Sequence, residues 1–571
     1  MQDQKMENLL NLALGSTQEE LEKSEELRVG YDPEKRTWEV IVKHSGSLKF
    51  LEEQGIGVYE LLNRYSILKV PQSLLAQISR LPQIEYVEKP KRLFFSVNQA
   101  KAASCIDYVQ VEGSLYVPYL TGKGILVAVI DSGIDYFHED FRTADGKTRI
   151  LELWDQTMDR VFTRAEIDEA LAKPGRAQAR EIVPSVDGSG HGTAVAGIAA
   201  GNGRESNGQY RGVAFESELL IVKMGVADPE GFPRTTELMK AVDYVLRRAV
   251  FYGRPVAVNI SFGNTYGSHD GSSLLETYLD AVSDFGRPVI SVGTGNEGSR
   301  GGHISGVLET GQEQEAELSI SPYETGFGVQ LWKSYLDDVG VILVAPSGQE
   351  YVPLLREPAA QTIFSGDTKI LVYYGMPSPY SQDQEIYLDF IPRQEYLPSG
   401  IWKIRLVPVK IVDGRFDLWL PSAGVLNRST YFLGSTPDIT LTIPSTASMA
   451  ISVGAYDDSY QRYAEFSGRG YTRVTDQVKP DLVAPGVNLM TCRSGGGYEM
   501  VTGTSFATPF VTGAAALLME WGIEQEHDAY LYGQKVKAYL RKGARHLPGF
   551  ENWPNPQMGY GALCVRDSLP V

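Results

Sequence analysis

The sequence predicts an α/β protein: a core built on a parallel sheet, preceded by a small α+β unit and interrupted by an all-β unit. Three observations predict it. The run Ile125 to Ile130 is wholly apolar and ends at Asp131 before a Ser-Gly turn, the pattern of a short strand buried on both faces. A glycine-rich turn at 188–190 leads into the small-residue run HGTAVAGIAA, which reads as a closely packed helix. Residues 303–435, in contrast, are dense in short strand patterns separated by turn residues, which points to a β-sandwich or jelly roll.

Taken in order, the amino-terminal segment carries its own fold pattern. Thr17 to Glu20 form a capping-box sequence that opens the acidic helix QEELEKSEEL. TWEVIVKH (37–44) reads as a strand, SLKFLEEQG (47–55) as a short helix, and VYELLNRYSILKV (58–70) as extended. SLLAQISRLP (73–82) reads as a helix and IEYVEKPKRLFF (84–95) as a final strand. That is the β-α-β-β-α-β, ferredoxin-like order. The following SVNQAKAA (96–103) is small and polar, as an accessible linker is.

The core supplies the chemistry. GTSFATP (503–509) sets Ser505 between glycine-permitted backbone and the start of a helix. A serine hydroxyl becomes a useful nucleophile when a base takes its proton and fixed donors receive the oxyanion. Asp131 at a strand's carboxyl end and His191 at a helix's amino end are suitable partners, because open α/β sheets gather their sites there. Each residue alone also fits a structural role: Asp131 a strand-end cap, His191 a helix-start histidine, Ser505 an N-cap. Their joint occurrence is the argument for catalysis. Of the other histidines, His44, His269, His303, His527 and His546 read as surface or loop residues, and His138 as a shaper of the loop after Asp131.

The all-β unit includes GVQLW, VGVILVAP, TKILVYYG, EIYLDFIP, IWKIRLVPVKIV and RFDLWLP. The last two flank Asp413-Gly414, a strong hairpin signal. Core sequence resumes at ITLTIPSTASMAISVGAYD (439–457), and KPDLVAPG (479–486) precedes the serine segment.

DSGID, GHGTAVAGI and GTSFATPFVTGAAAL, in that order, resemble the three signature blocks of the subtilisin-like serine proteases. The resemblance implies a catalytic triad of Asp131, His191 and Ser505. PVISVGTGNEG (288–298) resembles the segment carrying that family's oxyanion-hole asparagine, which implies Asn296 acting with the Ser505 backbone N–H. VNISFG (258–263) resembles its substrate-binding strand, which implies Ser261, Phe262 and Gly263 as substrate-binding residues. The first hundred residues resemble the family's propeptide. The expected division is 1–100 propeptide, 101–302 and 436–571 protease core, and 303–435 inserted β-sandwich or jelly roll, with self-cleavage near 96–103.

The inserted unit, the extended DSGIDYFHEDFR and RILELWDQT blocks and the absence of an export signal resemble the Csp-type germination proteases of clostridial spores. That likeness implies limited proteolysis of a cortex-hydrolase zymogen, with the cleaved propeptide retained in the cleft. The alternatives are a protease-fold scaffold with a permanently plugged cleft and a general intracellular serine protease.

Composition narrows the partners. The net charge is −18, from 53 basic and 71 acidic residues, which disfavours nucleic acid and anionic membrane. The amino terminus lacks the basic and apolar regions of a signal peptide, and no sequence run reads as a membrane span, so an intracellular or spore location is expected. Three cysteines suggest no disulfide framework and fit a reducing compartment. No cluster has metal-ligand spacing. The loop GNGRESNGQYRG (201–212) holds one carboxylate, Glu205, so it reads as a surface loop better than as a calcium site, and no metal or cofactor is expected. Oligomeric state and the preferred residue before the cut are not legible in the sequence.

Overall fold

The parallel sheet is the frame on which the rest is hung. In spatial order its parallel strands are Leu482–Pro485, Ile451–Asp457, Pro288–Gly293, Val256–Ile260, Leu126–Asp131, Glu218–Lys223 and Ile150–Asp155, with short antiparallel strands at both edges. The computed structural model describes residues 4–91, 94–95, 103–110, 119–225, 233–352 and 358–570. Leu126–Asp131 is buried along its whole length because side chains alternate between two covered faces. Val127 and Val129 join one apolar cluster with the helices His191–Ala200 and Thr504–Met519. Leu126, Ala128 and Ile130 join another with the helices Thr235–Phe251 and Leu274–Val282. Burying such aliphatic side chains contributes roughly 1.5–3 kcal/mol each.

Among the described residues one helical stretch, Thr504–Glu524, is long and apolar enough by composition to cross a membrane, but 94% of its most apolar window is buried inside the protein. This corrects the expectation that no run is long enough to span a bilayer. The stretch is a central core helix, apolar all round because both sheet and neighbouring helices surround it.

The described residues of 303–433 form two antiparallel sheets. One has the order His303–Val307, Arg415–Trp419, Phe327–Ser334, Asp383–Pro392, Thr368–Tyr374, Ala360–Ser365. The other has the order Glu350–Tyr351, Asp338–Val344, Gly400–Lys410, Gln314–Ile320, Tyr431–Leu433. Leu331, Ile370 and Leu388 from the first and Leu318, Leu343 and Ile404 from the second share one apolar cluster. The expected hairpin at Asp413-Gly414 does not form: its flanking strands belong to different sheets. The Asp337 carboxylate accepts hydrogen bonds from the N–H groups of Val412, Asp413 and Gly414, turning the chain from one sheet to the other. A distant carboxylate has overridden a local turn preference.

Two further expectations are corrected. Cys105 and Cys564 are joined in a disulfide with a Cα–Cα distance of 4.8 Å; a pairing across 459 residues leaves no local spacing signal. His269 and His303 are fully buried, stacked on either side of Trp419 with ring centroids 4.2 and 4.6 Å away, and His44 is buried too. Burial pulls the His269 pKa down to about 4, so the stack holds a neutral ring at neutral pH. Arg473, 3% exposed, reaches from the core to Asp383 and Asp417 beside this stack. The β-sheet unit is therefore joined to the core by packed rings and paired charge.

The amino-terminal unit forms a five-stranded sheet in which Thr37–His44 is central. Thr17 and Glu20 make the reciprocal capping box, although Ser24 ends that helix and starts another. The expected helix at 47–55 is a 3₁₀ segment, Lys49–Gln54, and the stretch 58–70 is two strands separated by a turn. Ile41, Leu61 and Ile67 pack into the cluster of the helices Thr235–Phe251 and Leu274–Val282. On its other side, Leu9, Leu10 and Leu12 share a cluster with Tyr373, Tyr387 and Ile391 of the inserted sheets.

Candidate active site

Asp131 and His191 meet at the carboxyl edge of the sheet. His191 Nδ1 lies 2.7 Å from Asp131 Oδ1, both side chains fully buried. The contact depends on glycines: a Cβ on Gly192 would sit 2.2 Å from the Gly133 carbonyl oxygen, so the helix can approach the Asp131 loop only without a side chain there. Gly190, with φ +78°, turns the chain into that helix.

Asp187 fastens this pair, and the sequence reading missed it. One of its oxygens accepts from Gly190 N–H at 2.9 Å and Ser132 Oγ at 2.8 Å. The other accepts from Thr193 N–H at 2.8 Å and its hydroxyl at 2.6 Å. The carboxylate thus caps the helix that carries His191 and ties it to the residue after Asp131. The signal was present, an aspartate just before the glycine turn of SVDGSGHG.

Ser505 is the second residue of the helix Thr504–Met519, which follows Gly503, whose φ is +149°. Its Oγ donates to the Ser261 carbonyl at 2.9 Å, and the Ser505 carbonyl accepts from Ser261 Oγ at 2.8 Å. Pro509 explains the second bond. It stands four residues on and has no N–H to offer, so the Ser505 carbonyl is left for a side chain. Asn259 in turn donates to Ser261 Oγ at 2.8 Å. Asn296 accepts with Oδ1 from the Thr504 N–H and hydroxyl, both at 3.1 Å. That fixes which way its amide N–H₂ faces; the Asn296 Nδ2 lies beside Gly503. The His191 and Phe506 rings lie 5.1 Å apart.

Phe262–Gly263 is a short strand paired antiparallel with Phe94–Phe95 of the amino-terminal unit. The chain is held again at Ala103, whose carbonyl accepts from Tyr456 OH at 2.7 Å, and at Ser104, whose carbonyl accepts from Val565 N–H at 3.0 Å. Of the expected cleavage segment 96–103, residues 96–102 lie outside the described residues.

His138, Asp140 and Cys492 are buried within ligand distance of one another. Their atoms are engaged: His138 Nδ1 accepts from Asp140 N–H at 3.2 Å, and Nε2 contacts the Gly497 carbonyl at 2.8 Å. The Asp140 carboxylate accepts from Tyr498 OH, Glu205 N–H and Cys492 Sγ. Glu205, from the loop considered for calcium, accepts from Gly497 N–H at 2.9 Å. The cluster is a hydrogen-bonded knot between that loop, the loop after Asp131 and the hairpin Leu489–Val501.

This fold and site define a class: the sequence model of the subtilase family matches residues 122–322 and 423–561, and the chain belongs to that family of serine proteases. Within it the chain is of the Csp type. Residues 4–91 match the Csp protease B prodomain. The structure of the CspB protease of Clostridium perfringens is similar at 37% identity and a TM-score of 0.76, covering 81% of this chain and 95% of that one. Minor extracellular protease Vpr of Bacillus subtilis is 24% identical over 480 residues, 79% of this chain and 52% of Vpr. Serine protease AprX of the same organism is 22% identical over 535 residues, 90% of this chain and 80% of AprX. The chain thus spans about half the length of Vpr.

Proposed function

We propose that this chain is a self-processing serine endopeptidase whose prodomain is its first substrate and then stays bound. The observation that carries the reading is the pairing of Phe94–Phe95 with Phe262–Gly263 next to Ser505. The prodomain enters the cleft as an extended strand, the form in which a protease takes a peptide. With Ala103 anchored at Tyr456, the bond to be cut falls within the expected 96–103 segment.

In the proposed mechanism the Ser505 hydroxyl turns from the Ser261 carbonyl to His191, which takes its proton as the oxygen attacks the scissile carbonyl. Asp131 holds the imidazole in the required tautomer and stabilises its cation. Asn296 Nδ2 and the Ser505 N–H receive the oxyanion. His191 then protonates the leaving amine, and water hydrolyses the acyl-enzyme. Cutting one peptide bond removes none of the apolar contacts of Ile41, Leu61 and Ile67, each worth roughly 1.5–3 kcal/mol, so the prodomain remains docked.

The proposed domains are prodomain 1–100, core 101–302 and 436–571, and an inserted jelly roll 303–435. The interruption of the family match between 322 and 423 and the two packed sheets support that division. The likeness to CspB supports the narrower reading, a germination protease within the spore that activates a zymogen by limited proteolysis. The buried prodomain contacts equally favour a second reading, a scaffold whose cleft stays plugged. Amino-terminal sequencing beside Ser505→Ala separates them. Two fragments meeting near residue 100 in the wild type and one intact chain in the variant are expected. An intact wild-type chain that does not react with a fluorophosphonate leaves only the scaffold. Hydrolysis of casein would point to a general protease.

A further inference from the structure

Immediately downstream of the expected cleavage segment, the chain is bolted to the core at three consecutive residues. The Ala103 carbonyl accepts from Tyr456 OH at 2.7 Å, the Ser104 carbonyl accepts from Val565 N–H at 3.0 Å, and Cys105 is joined to Cys564. The backbone shows the cost. Ala103 has φ +114° and Cys105 φ +50°, the left-handed side that residues with a side chain avoid. Such strain persists only where the surroundings over-determine it, and it collects at functional positions.

The seat is firm. The Leu563 N–H donates to the Val483 carbonyl at 2.8 Å and the Val483 N–H to the Gly561 carbonyl at 2.9 Å, so the residues before Cys564 are laced to the outermost parallel strand, Leu482–Pro485. Cys564 and Val565 are fully buried. Tyr456 is tied to the nucleophile as well. Its carbonyl accepts from Gly486 N–H and the Gly486 carbonyl from Gly503 N–H, both at 3.0 Å, two residues before Ser505. The chain therefore leaves the cleft at Phe95, paired with Phe262, and returns to this seat eight residues later at Ala103, a span of at most about 28 Å. Without the clamp, Ile106 is only half-buried and Val109 is the first fully buried residue downstream, fourteen residues from Phe95.

We propose that the Cys105–Cys564 disulfide is a positioning device for self-cleavage, a clamp that holds the downstream side of the scissile segment to the core and that a thiol opens. The proposal rests on the protease reading above. The chemistry is a two-electron exchange. A low-molecular-weight disulfide, RSSR, takes up the two electrons and two protons of the Cys105 and Cys564 thiols and leaves as two RSH. Two equivalents of a thiol reverse it, entering at Cys105, the half-buried member of the pair. Opening the clamp lengthens the tether from eight residues to fourteen, which dilutes the segment at Ser505 roughly twofold. It also frees the segment's direction of approach, which lowers reactivity further. A separate peptide is not tethered, so its cleavage gains nothing from the clamp.

The test follows self-cleavage of the full chain made by cell-free translation, with glutathione disulfide in one arm and dithiothreitol in the other, read as uncut chain remaining over time. The wild type is expected to cut itself at least about fivefold faster in the oxidised arm. The double variant Cys105→Ser, Cys564→Ser is expected to cut at the slow rate in both. Equal wild-type rates overturn the proposal, as does a double variant that keeps the difference between the arms. Tyr456→Phe leaves the ring and the disulfide in place and removes only the hydroxyl bond to Ala103. It is expected to slow the oxidised arm by about threefold, and an unchanged rate overturns the clamp. Processed wild-type protein separates positioning from general stability: reduction should leave its kcat/KM for a short peptide unchanged, and a parallel fall there overturns the positioning role. A chain that stays uncut in both arms and does not react with a fluorophosphonate sinks the protease reading itself.

Discussion

The prodomain is held at two places by different physics. In the cleft, Phe94–Phe95 contributes a short backbone ladder to Phe262–Gly263, a contact that many sequences could make. At the junction with the core and the inserted sheets, its side chains are read individually. Lys91 pairs with Glu7 at 3.0 Å and Glu88 at 2.7 Å, Glu88 accepts from Leu274 N–H at 3.2 Å, and Glu385 accepts from Asn8 and Gln330. Burial pushes the carboxyls of Glu88 and Glu385 up, the latter to about 7. On the proposed reading the cleft takes successive occupants and the junction only one.

Four substitutions probe that contrast. The largest effect belongs to the cleft. Asp131→Asn should slow self-cleavage by roughly 10⁴-fold through loss of the His191 tautomer while leaving the prodomain docked, as read by the appearance of the cleaved fragment over time. A tenfold loss only would remove Asp131 from the proposed triad. Next comes the joint beside the junction. Trp419→Ala empties the space between two histidines and should cost about 3–5 kcal/mol, measurable as a lower denaturation midpoint; an unchanged midpoint would show that the stack is not a structural joint.

Asn296→Ala should lower kcat by about 10²-fold with little change in KM, as expected for a donor used mainly in the transition state. An effect confined to KM would contradict that role. The smallest change is at the junction. The Glu385 carboxyl has an ordinary value of 4.5 and a folded value of about 7, so its contribution to docking is full below the first and is lost as pH rises through the second. Prodomain release from the processed protein should therefore quicken several-fold between about pH 5 and pH 8, and Glu385→Gln should flatten that profile. A variant with the wild-type slope would place the pH sensitivity elsewhere.

The core was legible because its chemistry depends on nearest neighbours in sequence. A wholly apolar strand, a glycine turn and a small-residue helix each announce themselves within a dozen residues, so the elements bearing Asp131, His191 and Ser505 could be found one by one. The six named strands of the inserted unit were also readable. What failed was pairing at a distance. Asp413-Gly414 looked like a hairpin until Asp337 took its three N–H groups. His269 and His303 looked like surface residues because the tryptophan between them is remote in sequence. Asp187 lay in plain view, but its task shows only when one carboxylate is seen to grip the helix start and the loop after Asp131 together.

The Cys105–Cys564 bond has a topological consequence. It closes the protease core into a covalent ring, with the prodomain attached outside it as a tail. Removing the tail opens no part of the ring and yields two separate chains at once. A single break anywhere within the ring yields one molecule of unchanged mass apart from the added water, and only a thiol reductant parts it. A gel run without reductant therefore registers cleavage of the tail and conceals one internal cut, whereas the same sample reduced registers both.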